Sequence, residues 1–422
     1  MPPPIPVVLI GAGQRGTEAY SSYALRRPEE IRVVAVADPN ETRRQRMAEA
    51  HQIPPKRRFR TWQDLLDNPM MGEAALICTP DDLHVAPAIG AMEMGYHVVV
   101  ETPLAPTPQD CFKLIHAAEV QRKLLMITHV LRYTAFYRAL HDIVQSGRLG
   151  QIINYQQHYA LPFWLTAHRF VRGNERSPFI LAVGCHEFDL MQWILKEPIQ
   201  TVSSVGAQQH FHLETAPIAN VPERCIDNCP IEPECPFSAM GTYLERRFPG
   251  MPANGFPYTA LADGDETPAK LVHAVEESKW GRCVYHLGTP VADHQSVILQ
   301  TQSGVTATVT ISGHGASEGR VIRIDGSHGS IVAEFIGLDS HITVTDHATG
   351  KNNNINFRIG PTGHGGDHGL MGTLVKILRE ETASLVTAHQ VINSHLLAFA
   401  AEESRLSQQV IDFPTFQRQH FR

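Results

Sequence analysis

Gly11-Ala12-Gly13-Gln14-Arg15-Gly16 follows the apolar run Ile5–Ile10 and opens a stretch with helical character that closes before Pro28. A glycine turn is common on its own. This one joins a strand pattern to a helix pattern, and Asp38 ends the next apolar run roughly 20 residues on, the arrangement of a dinucleotide-binding βαβ unit. Gly11 permits the tight turn, Gly13 lets backbone approach a pyrophosphate, and Gly16 lets helix and strand pack closely. Gln14 and Arg15 fall at the helix start, where unpaired N–H groups and the helix dipole favour phosphate. Asp38 would accept hydrogen bonds from the adenosine ribose and repel a 2′-phosphate. NAD is therefore the expected cofactor, with Arg43 and Arg44 keeping NADP open.

Outward from this turn, Ala74–Cys78 and His97–Val100 are further buried-type strands, with a helix pattern at His84–Met94 between them. The alternation predicts an α/β fold whose N-terminal part, residues 1–131, is a doubly wound parallel Rossmann sheet. Past Leu131 the rhythm changes. Asn154–Tyr159, Val202–Phe211, Ser296–Gln302, Thr306–Ile311 and Val321–Asp325 are strand-like without a helix between each pair, and turn signals such as Asp325-Gly326 imply hairpins. Residues 132–422 are thus expected as an α+β domain with a mostly antiparallel sheet, closed by helices at Gly366–Glu380 and Ala388–Gln408. An open sheet face must meet helices or another subunit, so a homodimer or homotetramer is expected.

A Pro-rich insertion at about 216–290 carries Cys225, Cys229 and Cys235, with Cys283 a candidate fourth. Four thiolates around a structural zinc would staple such a segment; free or disulfide-linked thiols are the alternative. The 422 residues are 43% hydrophobic and 19% charged with net charge −7, which gives no reason to expect nucleic acid or an anionic membrane as partner. No window reaches the roughly 20 apolar residues of a membrane helix, and the start MPPPIPVVLIGAG has no signal-peptide pattern, so a cytoplasmic protein with reduced thiols is expected.

Further motifs run in order along nearly the whole chain: Thr79-Pro80-Asp81-Asp82-Leu83-His84, Gly95-Tyr96-His97-Val98, Glu101-Thr102-Pro103-Leu104, His129-Val130-Leu131-Arg132-Tyr133 and Gly184-Cys185-His186-Glu187-Phe188-Asp189. The series resembles the glucose–fructose oxidoreductase, inositol dehydrogenase and rhizopine-catabolism (Gfo/Idh/MocA) family. The resemblance implies a large open C-terminal sheet and oxidation of a CH–OH group on a sugar, polyol or sugar derivative. Thr79, Pro80, His84 and Glu101 would then join the glycine turn in holding the cofactor. His186 falls on the family's catalytic histidine, a natural proton acceptor near neutral pH. Asp189, one helical turn on, would anchor substrate or orient the imidazole. Arg132 and Tyr133 fall where the family contacts hydroxyl-rich substrates, and His168 and Arg169 belong to an A-H-x-F-V-R-G segment found in one subgroup. The family's E-K-P lysine is Thr102 here, so the cation beside the reacting hydroxyl is missing. His168, Arg169, Arg132 and Arg172 are the possible substitutes. Two other readings fit the same residues: a redox-neutral, NAD-dependent glycoside-cleaving enzyme, and a catalytically degenerate NAD-binding protein.

Overall fold

The computed structural model describes residues 2–173, 177–248, 251–287, 291–358, 365–380 and 388–420. Its strands are β1 (Ile5–Ile10), β2 (Ile31–Ala37), β3 (Arg58–Phe59), β4 (Ala74–Ile77), β5 (His97–Val100), β6 (Leu125–Ile127), β7 (Ile152–Pro162), β8 (Ile199–Ala207), β9 (His294–Thr301), β10 (Thr306–Gly315), β11 (Gly319–Gly326), β12 (Gly329–Phe335), β13 (Ser340–Asp346), β14 (Asn352–Phe357) and β15 (Ile411–Asp412). The chain divides into two compact units. The first comprises 1–138, 362–396 and 417–422; the second comprises 139–361 and 397–416.

The first unit is a parallel six-stranded sheet in the order β3-β2-β1-β4-β5-β6. Val7, Val8 and Leu9 are fully buried, which is why β1 is apolar without alternation: helices cover both faces. The sheet order turns back on itself beside β1, between β1 and β4, and such a switch point is where α/β sheets bind ligands. The expected boundary of 132–422 for the second domain differs from this division. The helix Gly366–Leu378 belongs to the first unit, because Leu370, Met371, Leu374 and Val375 bury in one core with Leu9, Tyr20, Val33 and Met47. Local pattern shows that this helix has an apolar face but not which core receives it.

The second unit carries a nine-stranded sheet, order β14-β13-β12-β11-β7-β10-β9-β8-β15. Among the described residues β7 and β10 pair in parallel and the other neighbours are antiparallel. Burial alternates along β7, with Tyr155, Gln157 and Tyr159 inside and Gln156 and His158 outside, as a sheet with one covered face requires. The helix Gly184–Leu195 lies on that covered face against β7 and β10. β8 ends at Ala207, short of the expected Phe211, whose ring instead joins a small core with Phe237, Cys283 and Tyr285. Among the described residues no helix is long and apolar enough to cross a membrane.

Candidate functional site

The glycine turn is built as a cradle. Gly11 has φ +96°, and a Cβ there would lie 2.6–2.8 Å from the Cys78–Thr79 backbone, so only glycine lets β1 exit past β4. A Cβ on Gly16 would collide with the Gly11 carbonyl. Gly13 differs: an added Cβ would meet nothing within 4 Å, so the turn is open where a pyrophosphate would approach. Asp38 is 4% exposed and frames the other side. It accepts the Ala12 N–H at 2.7 Å and the Asn40 N–H at 2.8 Å, while Arg43 stands 3.5 Å from its carboxylate and Arg44 donates to its main-chain carbonyl at 2.6 Å. A carboxylate oxygen can accept more than one donor, so Asp38 keeps lone pairs for ribose hydroxyls. These residues fit a dinucleotide.

Glu101 anchors the neighbouring turn. It is 7% exposed and accepts from Arg15 Nε, Tyr20 Oη at 2.7 Å, Thr128 Oγ1 and the Thr102 N–H at 2.8 Å. Burial pushes its carboxyl up, but Arg15 and the hydrogen bonds outweigh burial and hold it at about 2. Arg15 reaches this position from the glycine turn and also binds Asp367 at 2.8 Å. Asp367 lies in the first turn of its helix, whose N-cap is Gly365. Thr102 Oγ1 stands 3.4 Å from Glu101 Oε2, so its hydroxyl sits one carboxylate away from the Arg15 guanidinium.

His84 is 1% exposed and ties two turns together: Nδ1 faces the Pro103 and Leu104 carbonyls at 3.0 and 3.2 Å, and Nε2 faces the Thr79 carbonyl at 2.8 Å. Thr79 Oγ1 donates to Leu83 at 3.0 Å and Pro80 precedes the short turn Asp81–Leu83, so these residues shape the β4 exit. On the far side His395 Nε2 accepts the Leu104 N–H at 2.9 Å. Tyr20, Thr128 and His395 escaped the sequence reading. They lie far from Glu101 in the chain, and no local pattern marks them.

Arg132 and Tyr133 are half-buried in the turn Val130–Tyr133, against which Gly366 and Gly369 pack so closely that a Cβ on either would strike the Val130 or Tyr133 backbone. In the second unit His186 is half-buried and Asp189 is 1% exposed, one turn apart on the helix Gly184–Leu195. That helix is pinned by Glu187, which is fully buried and bound by Arg320 at 3.0 and 3.1 Å and by Gln157. Arg169 covers the Phe170 ring. His168 is 2% exposed, stacks on Trp280 at 4.4 Å, meets Phe256 edge-on and bonds Tyr243 Oη at 2.9 Å. Burial first, then Arg172, Arg169 and Lys279, pull its imidazole down to about 3. So enclosed, His168 packs the insertion and carries no charge at neutral pH.

Cys225, Cys229, Cys235 and Cys283 line one cavity, all as free thiols. Among the described residues no three or more His, Cys, Asp or Glu side chains stand ready around one point as a metal site.

Residues 5–129 match the model described as "Oxidoreductase family, NAD-binding Rossmann fold", and residues 137–241 match the C-terminal domain model of the same family. Inositol 2-dehydrogenase of Leifsonia xyli is 27% identical over 47% of this chain and 56% of its own length. D-glucoside 3-dehydrogenase of Escherichia coli is 26% identical over 50% of this chain and 59% of its own. The chain thus matches only a little over half the length of these curated relatives. A solved levoglucosan dehydrogenase in complex with NADH and levoglucosan superposes with TM-score 0.68 over 97% of this chain and 99% of that one, at 17% identity, and so shares the fold. With the cradle, the six-stranded parallel sheet and both domain models in agreement, this chain belongs to the Gfo/Idh/MocA family of oxidoreductases.

Proposed function

We propose that this chain is an NAD-dependent oxidoreductase acting on a CH–OH group of a sugar, polyol or sugar derivative. The open turn at Gly13, facing the buried carboxylate of Asp38, carries this reading. NAD supplies a hydride acceptor when bound. The N–H groups at the start of the helix after Gly13 hold the pyrophosphate, Asp38 takes the ribose hydroxyls, and its negative charge favours NAD over NADP. His186 takes the hydroxyl proton as the carbinol is oxidised, and Asp189 orients the imidazole or the substrate. Arg132, Tyr133 and Arg169 are the candidate donors to substrate hydroxyls. Thr102 contributes no charge, so the proton moves without the family's ammonium group. Relatives named for inositol and glucosides support the substrate class. The reaction belongs inside the cell, in keeping with seven free thiols.

The test is NADH formation at 340 nm (a standard assay wavelength, roughly the reduced nicotinamide band) with inositols, pyranosides and sugar nucleotides, alongside NAD binding by calorimetry. Turnover that falls by about 10²–10⁴ in His186→Asn with NAD affinity unchanged supports the assignment. Tight NAD binding without turnover, together with activity gained in Thr102→Lys, overturns it in favour of a degenerate cofactor-binding protein. The exposed Val205 (70%) and Ile298 (59%) on adjacent strands β8 and β9 support a homo-oligomer formed through the open sheet face.

A further inference from the structure

Residues 221–238 contain no helix and no strand beyond a single bridge between Arg224 and Arg282, yet they pack into the second unit. A long irregular segment of this kind needs something other than backbone ladders to order it. The bridge holds Cys225 beside Cys283: the Cys225 N–H donates to Gly281 at 3.1 Å and the Cys283 N–H to Glu223 at 2.7 Å. Together with Cys229 and Cys235 these thiols wall a small cavity whose other lining includes Val221, Phe237 and Tyr285.

The charge around the cavity is unusual. Arg172 is 1% exposed, and its Nη1 is buried with no hydrogen-bond partner. Its Nε donates to the Arg282 carbonyl at 2.9 Å, and Nη2 faces the Phe237 carbonyl and Cys225 Sγ, the latter at 3.9 Å. Arg224 lines the same cavity with its Nε likewise buried and unpartnered, while Nη2 bonds two carbonyls, of Val275 and Ser278. Two guanidinium groups therefore border four thiols. The carboxylate lining the cavity, Glu232, is already taken by Arg247 and Ser238. The Ala239 N–H also points at Cys225 Sγ, 3.3 Å away. Buried cations of this kind call for anions.

We propose that Cys225, Cys229, Cys235 and Cys283 bind one structural zinc ion as a four-thiolate site, with Arg172 and Arg224 balancing its charge. Binding would release four thiol protons: Zn²⁺ with four thiolates carries a net charge of −2, which the two guanidinium groups offset. The sulfurs line the cavity wall and do not yet converge on one point, so the ion must draw them to Zn–S distances of about 2.3 Å.

The full-length protein, expressed with zinc in the medium and purified without chelator, is assayed by elemental analysis while a mercurial titrates its thiols. One zinc per chain, released as the four thiols react, supports the site. So does a cobalt-loaded sample with sulfur-to-metal charge transfer and the strong visible bands of tetrahedral thiolate coordination. Cys229→Ser should lose stoichiometric zinc while NAD binding to the first unit persists. Arg172→Met should keep the ligands and weaken zinc affinity by about 10–100-fold, the effect expected of an outer-shell partner. Reduced protein that neither carries zinc nor gives the cobalt thiolate spectrum overturns the proposal, as does an intact mass showing these cysteines paired as disulfides.

Discussion

Glu101 has little contact with water and is charged because Arg15, Tyr20, Thr128 and the Thr102 N–H all point at it. Glu101→Gln removes that charge at nearly constant volume. It should lower stability by about 2–3 kcal/mol in denaturant melts, the lower part of the usual range because Arg15 is 38% exposed and can be rehydrated. The pH dependence has a definite sign. The folded carboxyl titrates at about 2 against an ordinary 4.5, so its stabilisation is complete above 4.5 and is lost as pH falls toward 2. The gap between wild type and Glu101→Gln should therefore narrow across that window and stay constant above it. Asp38 makes a second test at this scale. Asp38→Ser removes the charge that opposes a 2′-phosphate and leaves Arg43 and Arg44 in place, so the ratio of NADP to NAD affinity should rise by at least about tenfold in calorimetric titrations. The position of Asp38 beside the glycine turn was legible in the sequence, because it follows from the spacing between the turn and the end of β2. The partners Tyr20 and Thr128 were not, since each lies tens of residues from Glu101 in the chain and carries no local mark.

At the scale of elements, the turn after β1 separates two kinds of glycine. Gly11→Ala forces a Cβ into the Cys78–Thr79 backbone at positive φ, so it should cost both stability and NAD binding. Gly13→Val adds atoms where the fold leaves space, so the melt should move by no more than about 0.5 kcal/mol while NAD affinity collapses. Equal destabilisation by both would show that the turn is not shaped for a ligand. The helix Gly184–Leu195 is positioned by an ion pair buried under the sheet. Arg320→Met leaves the fully buried Glu187, already pushed up by burial, without its cation, so the carboxyl must take up a proton or stay unpaired, at a cost of about 3–5 kcal/mol. Arg320→Met combined with Glu187→Gln should recover much of that loss. The motif around His186 marked this helix. Its anchor did not show in the sequence, because Arg320 stands on β11 and Gln157 on β7, and only strand pairing brings them together.

On the scale of the whole molecule, the open face of the nine-stranded sheet should set the assembly. Val205→Asp with Ile298→Asp puts charge on adjacent exposed apolar positions and should shift the protein toward monomer in light scattering, with NAD affinity of the first unit unaffected. An unchanged mass would place any interface elsewhere. The amino-acid sequence by itself determined the parallel sheet, the glycine cradle, Asp38 and the change to antiparallel pairing after residue 131. All of these rest on local spacing: strand periodicity, turn chemistry and residues a short way apart along the chain. Tertiary structure alone decided that the helix Gly366–Leu378 completes the first unit's core, that Arg15 spans Glu101 and Asp367, that His168 is sealed among aromatic rings, and that four cysteines and Arg224 line one cavity with Arg172 against Cys225. Each of those depends on which side chains meet in the folded chain, and that is settled by packing between segments tens to hundreds of residues apart, where local pattern carries no information.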